Sequence, residues 1–181
     1  MSGHNKWSKI KHKKAATDAA KSKIFGKMAK LIKVAVKEAG GDVNASNVIA
    51  AVDRAKAVSM PKDNIERALK SAGQGADLEA ITYEAYGPGG VAIIIETLTD
   101  SRNRTAAEIK HIFTKRGMEL ATPGSAAWAF KRDGLDWVAN QPVPIDEAAS
   151  NELASLIETL EEHDDVQDVY TNAELHETYN T

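Results

Sequence analysis

The sequence predicts an α+β protein: an N-terminal three-helix domain with a basic arm, followed by a ferredoxin-like domain of split βαβ type. Three observations carry this. Apolar residues recur at helical spacing as far as Ala72, the spacing changes to alternation and short aliphatic runs from Ile81, and the charge changes sign over the same interval. Residues 1–75 hold sixteen Lys and Arg against six acids, whereas residues 76–181 hold seven against twenty. The domains are therefore drawn as 1–75, arm and helical bundle, and 76–181, the α/β domain. With 43% apolar residues, the 181-residue chain has enough for two small cores.

The most basic stretch comes first. Residues 1–40 contain eleven lysines against only Asp18 and Glu38, a concentration that the whole-chain charge of −3 hides. Residues 1–13 offer only Trp7 and Ile10 to a core, which predicts a mobile arm in the free protein. From about Ala15 a helix begins, with Ile24, Phe25, Met28, Leu31, Ile32, Ala35 and Val36 inward, and Gly40-Gly41 ends it. The polar run Asp42 to Asn47 offers N-caps for a second helix, with Val48, Ile49, Val52 and Ala55 inward. Pro61 and Asp63 suit the first turn of a third, whose inward set is Ile65, Ala68, Leu69 and Ala72.

Beyond a linker at 73–80, Ile81–Tyr86 alternates like a strand, Gly87-Pro-Gly-Gly90 forms a turn, and Val91–Leu98 reads as a buried strand. The spacing of Thr105 and Glu108 suggests a capping box opening a helix with Ile109, Ile112 and Phe113 inward. Met118–Ala121, Ser125–Phe130 and Leu135–Ala139 read as strands. A helix capped by Asp146 buries Leu153, Leu156, Ile157 and Leu160, and Val166–Tyr170 is a last strand. The order after the first hairpin is β-α-β-β-α-β, predicting an antiparallel sheet with two helices on one face.

Several chemistries are excluded. The longest aliphatic run, Val91–Ile95, falls far short of the ~20 residues that a membrane span needs. The lysines that interrupt the first residues do not resemble a secretory signal. Absence of cysteine removes disulfides and thiol catalysis and fits a reducing cytoplasm. Gly87-Pro-Gly-Gly90 lacks the Lys-Ser/Thr pair and following helix of a phosphate loop. His4, His12, His111, His163 and His176 show no metal-ligand spacing, and the acidic run Glu161–Asp165 reads as a solvated corner. No hydroxyl is paired with a base and an orienting acid. No enzyme activity, cofactor, metal, membrane or small-molecule substrate is expected.

Two places remain. Lys6, Lys9, Lys11, Lys13 and Lys14 can contact phosphates while Trp7 and His12 stack on bases or sugars, and Lys21, Lys23, Lys27 and Lys30 continue the cationic surface along the first helix. Arg102 and Arg104, read as lying just before a helix N-terminus, suit either a phosphate or an internal lock to an acid such as Asp100.

Five blocks then resemble one family. Gly3-His-Asn-Lys-Trp-Ser-Lys-Ile-Lys-His-Lys-Lys14, Met60-Pro-Lys-Asp-Asn-Ile-Glu-Arg-Ala68, Tyr83-Glu-Ala-Tyr-Gly-Pro-Gly-Gly-Val91, Thr99-Asp-Ser-Arg-Asn-Arg-Thr105 and Asp164-Asp-Val-Gln-Asp-Val-Tyr-Thr-Asn172 are similar, in order, to the YebC/PmpR family. The resemblance implies a cytoplasmic transcriptional regulator that binds DNA. Since relatives include a mitochondrial translational activator, it implies alternatively a ribosome-associated translation factor on ribosomal RNA. Family members usually carry a further α/β lobe where Lys131 to Asn140 here bridge directly, so the chain resembles a shortened form.

Overall fold

The computed structural model describes residues 17–75 and 77–174. They divide into two compact units, one over 17–79 with 98–100, the other over 80–97 and 101–174.

The helical unit contains α1 (Asp18–Glu38), α2 (Ser46–Ala57) and α3 (Lys62–Lys70). Thr17 caps α1, its Oγ1 accepting the Ala20 N–H at 3.2 Å, and Gly40 and Gly41 take positive φ to close it. The polar run before α2 supplies no such cap. Ala45 holds that position, Asp42 accepts instead from the Asn44 N–H at 2.9 Å, and the Asn47 amide donates to the Ala35 carbonyl at 3.1 Å, tying α2 to α1. Ile32, Ala35 and Val36 pack against Val48, Ala51, Ala55, Met60, Ile65 and Ala68. Ile49, expected inside, is 50% exposed. The small Ala51 and Ala55 face α1, and a residue one position beyond Val48 turns about 100° away from that seam.

In the second unit β1 (Glu79–Tyr86), β2 (Ala92–Thr99), β3 (Leu120–Ala121) and β7 (Val166–Thr171) form a sheet in the order β3-β1-β2-β7. β7 runs antiparallel to β2 with Ile94 opposite Tyr170, and β3 antiparallel to β1 with Ala85 opposite Leu120. On one face Ile93 and Ile95 meet Ile109 and Phe113 of α4 (Arg102–Thr114) and Leu153, Leu156 and Leu160 of α5 (Glu147–Glu162). Both helices cover this face, as expected, and Asp146 caps α5 by accepting the Ala149 N–H at 2.8 Å. The other face differs from the expectation. Ser125–Phe130 is a turn with 3-10 geometry at Ala127–Ala129, and the chain then forms a separate hairpin of β4 (Phe130–Asp133) and β5 (Asp136–Ala139). That hairpin lays Phe130, Trp137 and Ala139 over Ala92, Ile94 and Tyr170. Short β6 (Val143–Pro144) and β8 (Ala173–Glu174) pair in parallel at the end.

Another correction bears on the candidate arginines. α4 begins at Arg102 rather than Thr105, and Ser101 at its N-cap makes no side-chain capping bond. Thr105 is buried inside the helix, its hydroxyl 2.8 Å from Asp165 Oδ2.

Two carboxylate and glycine positions set the loops. Glu84 Oε1 accepts the Gly124 N–H at 2.6 Å, and Oε2 accepts those of Ala126 and Ala127 at 2.7 and 2.9 Å. Burial pushes this carboxyl up, but the three backbone donors outweigh it and hold it below the usual glutamate value. In the β1–β2 turn Gly89 has φ +72°, and a Cβ there would lie 2.6 Å from Ile145 Cγ2. Gly90, at φ +77°, has open space around the same position.

Gly90→Ala should therefore lose only the backbone part, about 1–2 kcal/mol, whereas Gly89→Ala should lose more through the clash with Ile145. Urea midpoints at unchanged slope measure the difference. Glu84→Gln turns an amide NH2 toward backbone donors and should cost about 1–3 kcal/mol at neutral pH. Because the folded-state value of Glu84 lies below the unfolded one, its contribution is complete above the ordinary glutamate range. It disappears as pH falls through the depressed value, so the gap between wild type and variant in urea should close on acidification.

Candidate nucleic-acid interface

Along α1, Lys23, Lys27 and Lys30 recur at i, i+4 and i+7, a spacing that gathers them on one stripe. At about 100° per residue that stripe lies opposite Ile32, which is fully buried. Helical periodicity thus delivers three cations from one face while the other anchors the helix in its core. Lys21 falls outside this stripe and lines a groove between α1 and α3. Lys6, Trp7, Lys9, Lys11, His12, Lys13 and Lys14 lie outside the described residues.

The groove measures about 460 Å³. Its lining includes Lys21, Phe25 and Lys33 of α1, Arg67 of α3 and the core residue Met60, with Asp18 as the acid among them. Lys33 and Arg67 are cations that the sequence reading did not select. The signal was present, since residues 18, 21, 22, 25, 29 and 33 share one side of α1 and residues 64, 67, 68 and 71 follow helical spacing from α3 to its C-cap. Only the packing of the two helices shows that these sides face each other. Other cations are engaged locally. Lys37 contacts Asp77 at 2.7 Å and, by that hydrogen bond and its charge, holds the Asp77 carboxyl below its usual value, while Lys62 lies 3.7 Å from Glu66.

Arg102 and Arg104 occupy the first turn of α4. Two residues along a helix is about 200° of rotation, so the backbone sends them in different directions. Arg104 Nη2 donates to Asp165 Oδ2 at 2.9 Å, and the Thr105 hydroxyl reaches the same oxygen. The Asp165 N–H donates to His163 Nδ1 at 3.1 Å, which leaves Nε2 to carry the proton toward Glu108 Oε2 at 2.7 Å. An internal lock of the kind foreseen for this segment joins Arg104 to Asp165. Asp165 is only 6% exposed, so the acidic run ending α5 is not wholly a solvated corner. Glu108, His163 and Asp165 could each offer a ligand atom within 4.8 Å of one another. Arg104 already neutralises Asp165 there, and the His163 proton points at Glu108, an arrangement that suits an ion-pair network better than a cation site.

A third polar group sits over the hairpin. Arg132 stacks on the Trp137 ring at 4.3 Å, and both side chains donate to Glu96 Oε1, Trp137 at 2.8 Å. Trp128, 55% exposed, donates its Nε1–H to Tyr86 Oη at 3.0 Å, and Tyr86 donates in turn to the Ser125 carbonyl. Among the described residues no helix is long and apolar enough to cross a membrane.

Comparison with known proteins adds an independent line. Residues 5–75 match the TACO1/YebC N-terminal domain, and residues 78–136 and 133–173 match the TACO1/YebC second and third domain in two pieces that overlap at 133–136. A probable transcriptional regulatory protein of Desulforapulum autotrophicum is 50% identical over 145 residues, 78% of this chain and 59% of its own length. One of Thermotoga maritima is 50% identical over 147 residues, 79% of this chain and 58% of its own. The chain thus spans somewhat under three-fifths of these two relatives. A relative from Nitratiruptor, also called a probable transcriptional regulatory protein, is 38% identical over 236 residues, covering 95% of this chain and 99% of itself. The crystal structure of a conserved hypothetical protein from Aquifex aeolicus superposes with a TM-score of 0.79 at 28% identity, over 92% of this chain and 96% of that one. Helical and α/β units both lie within the matched residues, and by these matches the chain belongs to the TACO1/YebC family.

Proposed function

We propose that the protein is a non-enzymatic regulator that binds nucleic acid, with DNA as the leading target, through its basic N-terminal arm and α1. The observation that carries this is the concentration of eleven lysines in residues 1–40, part of it delivered as the Lys23, Lys27 and Lys30 stripe on a helix fixed by its opposite face. Relatives named probable transcriptional regulatory proteins supply the regulatory setting. The arm residues Lys6, Trp7, Lys9, Lys11, His12, Lys13 and Lys14 contribute phosphate and stacking contacts, Lys21, Lys23, Lys27 and Lys30 extend the track, and Arg102 and Arg104 make a secondary contact. Cations of this kind read backbone charge rather than base edges, so selectivity between sequences is weak. The site of action is the cytoplasm. A 236-residue alignment that takes in most of this 181-residue chain requires a long stretch of the relative with no counterpart here, and the match in two pieces at 133–136 supports its absence from the β4–β5 region.

Titration of labelled DNA across a salt series tests the reading. Deleting residues 2–14 removes five lysines and should flatten the slope of log K against log salt by about 4–5 on a duplex. Replacing Lys23, Lys27 and Lys30 by Gln should flatten it further while leaving the thermal midpoint nearly unchanged. Equal binding with and without the arm, or a slope near zero for the wild type, would overturn the proposal. Cosedimentation with ribosomes in sucrose gradients would move the target from DNA to ribosomal RNA.

A further inference from the structure

We propose that the groove between α1 and α3 holds a short run of single-stranded nucleic acid. Lys21 and Lys33 lie about 18 Å apart along the α1 axis, so successive phosphates meet Lys21, Lys33 and Arg67, and a base or sugar lies against Phe25. This deepens the nucleic-acid reading and rests on it.

Charge is the first argument. Three cations line one groove, no ion pair or side-chain hydrogen bond links Lys21, Lys33 or Arg67 to a described residue, and a polyanion running along the groove would neutralise them in turn. The contrast is internal to the unit: Lys37 and Lys62 have carboxylates beside them. Asp18, at the edge of the groove, is one acid among three cations, so the site keeps a net positive charge.

The second argument is the floor. A phosphate alone, or a duplex presenting only its backbone, would leave the partly buried Phe25 uncovered. An unpaired nucleotide brings an anion and a flat, largely apolar ring together, which is what this lining complements. Its volume of about 460 Å³ falls within the range of small-molecule sites.

Gly26 supplies an independent observation. Glycine inside a helix weakens it, yet this glycine lies within α1, has no positive φ, and would place a Cβ where no described residue approaches within 4 Å. Among the described residues, neither backbone geometry nor packing calls for it. It lines the groove, and a side chain there would lean back over the preceding turn toward Ser22, another lining residue. A bare wall at that point keeps the groove open.

The test uses the full chain and a short labelled single-stranded oligonucleotide, with the corresponding duplex in parallel. Lys33→Gln and Arg67→Gln should each weaken single-strand binding about tenfold and flatten its salt slope by about 0.7. Lys62→Gln, on the same helix but already beside Glu66, should change it by less than twofold. Gly26→Leu should raise the thermal midpoint through better helix formation while weakening single-strand binding at least tenfold. A loss of binding that accompanies a gain of stability is an outcome that misfolding does not give. If the wild type binds the oligonucleotide and Lys33→Gln, Arg67→Gln and Gly26→Leu bind it equally well, the groove assignment falls and the nucleic-acid reading stands. Equal losses on duplex and single strand would overturn the unpaired nucleotide, and a wild type that binds neither overturns both proposals.

Discussion

The α/β unit depends on burying β2 from both sides. Ile93 and Ile95 enter the layer formed by α4 and α5, while Ala92 and Ile94 enter the layer beneath the β4–β5 hairpin, so neither covering can be removed without exposing alternate residues of one strand. Asn172 fixes the start of that strand: its Oδ1 accepts the Ala92 N–H and its Nδ2 donates to the Gln141 carbonyl, each at 2.7 Å. The adjacent strand contributes Glu84, which gathers three N–H groups of the segment leading into the hairpin. One strand thus needs two covers, and its neighbour holds the approach to the second.

Much of this could be read from the sequence, and the misses share a cause. Helices announced themselves because their inward faces are apolar at constant spacing, and β2 because five consecutive aliphatic residues suit a strand with no wet face. Ser125–Phe130 misled because Ala, Trp and Phe next to a strand pattern resemble a strand, whereas the backbone there is committed to Glu84 on another strand. Thr105 misled in the same way. Its spacing to Glu108 fits a capping box, but the partner that decides its role, Asp165, lies 60 residues away. Ile49 was assigned inward by its apolarity, while packing favoured the smaller Ala51. The Lys23, Lys27 and Lys30 stripe was legible because it belongs to one helix. The groove was not, because its two walls come from helices whose mutual orientation no local pattern encodes.

Opposite charges are disposed differently in the two units. In the α/β unit they are drawn into short-range networks, Arg104 to Asp165 and Arg132 to Glu96, that orient side chains and neutralise one another. Among the described residues of the helical unit, Lys21, Lys33 and Arg67 have no such ion pair. An excess charge that is not cancelled nearby acts over a Debye length rather than over a bond, which is the range at which a polyanion is first drawn in.

The division into two units also has an optical consequence. Among the described residues, Trp128, Trp137 and every tyrosine lie in the α/β unit, while the helical unit has Phe25 as its sole aromatic ring. The emission of Trp128 and Trp137, read in a chain whose Trp7 is replaced by Phe, therefore follows the sheet and its hairpin, with Trp137 beneath Arg132 and Trp128 open to water. Far-ultraviolet ellipticity, by contrast, receives a large share from α1, α2 and α3. The two signals weight the two units so differently that their agreement or separation during unfolding measures how far the units share a single cooperative transition.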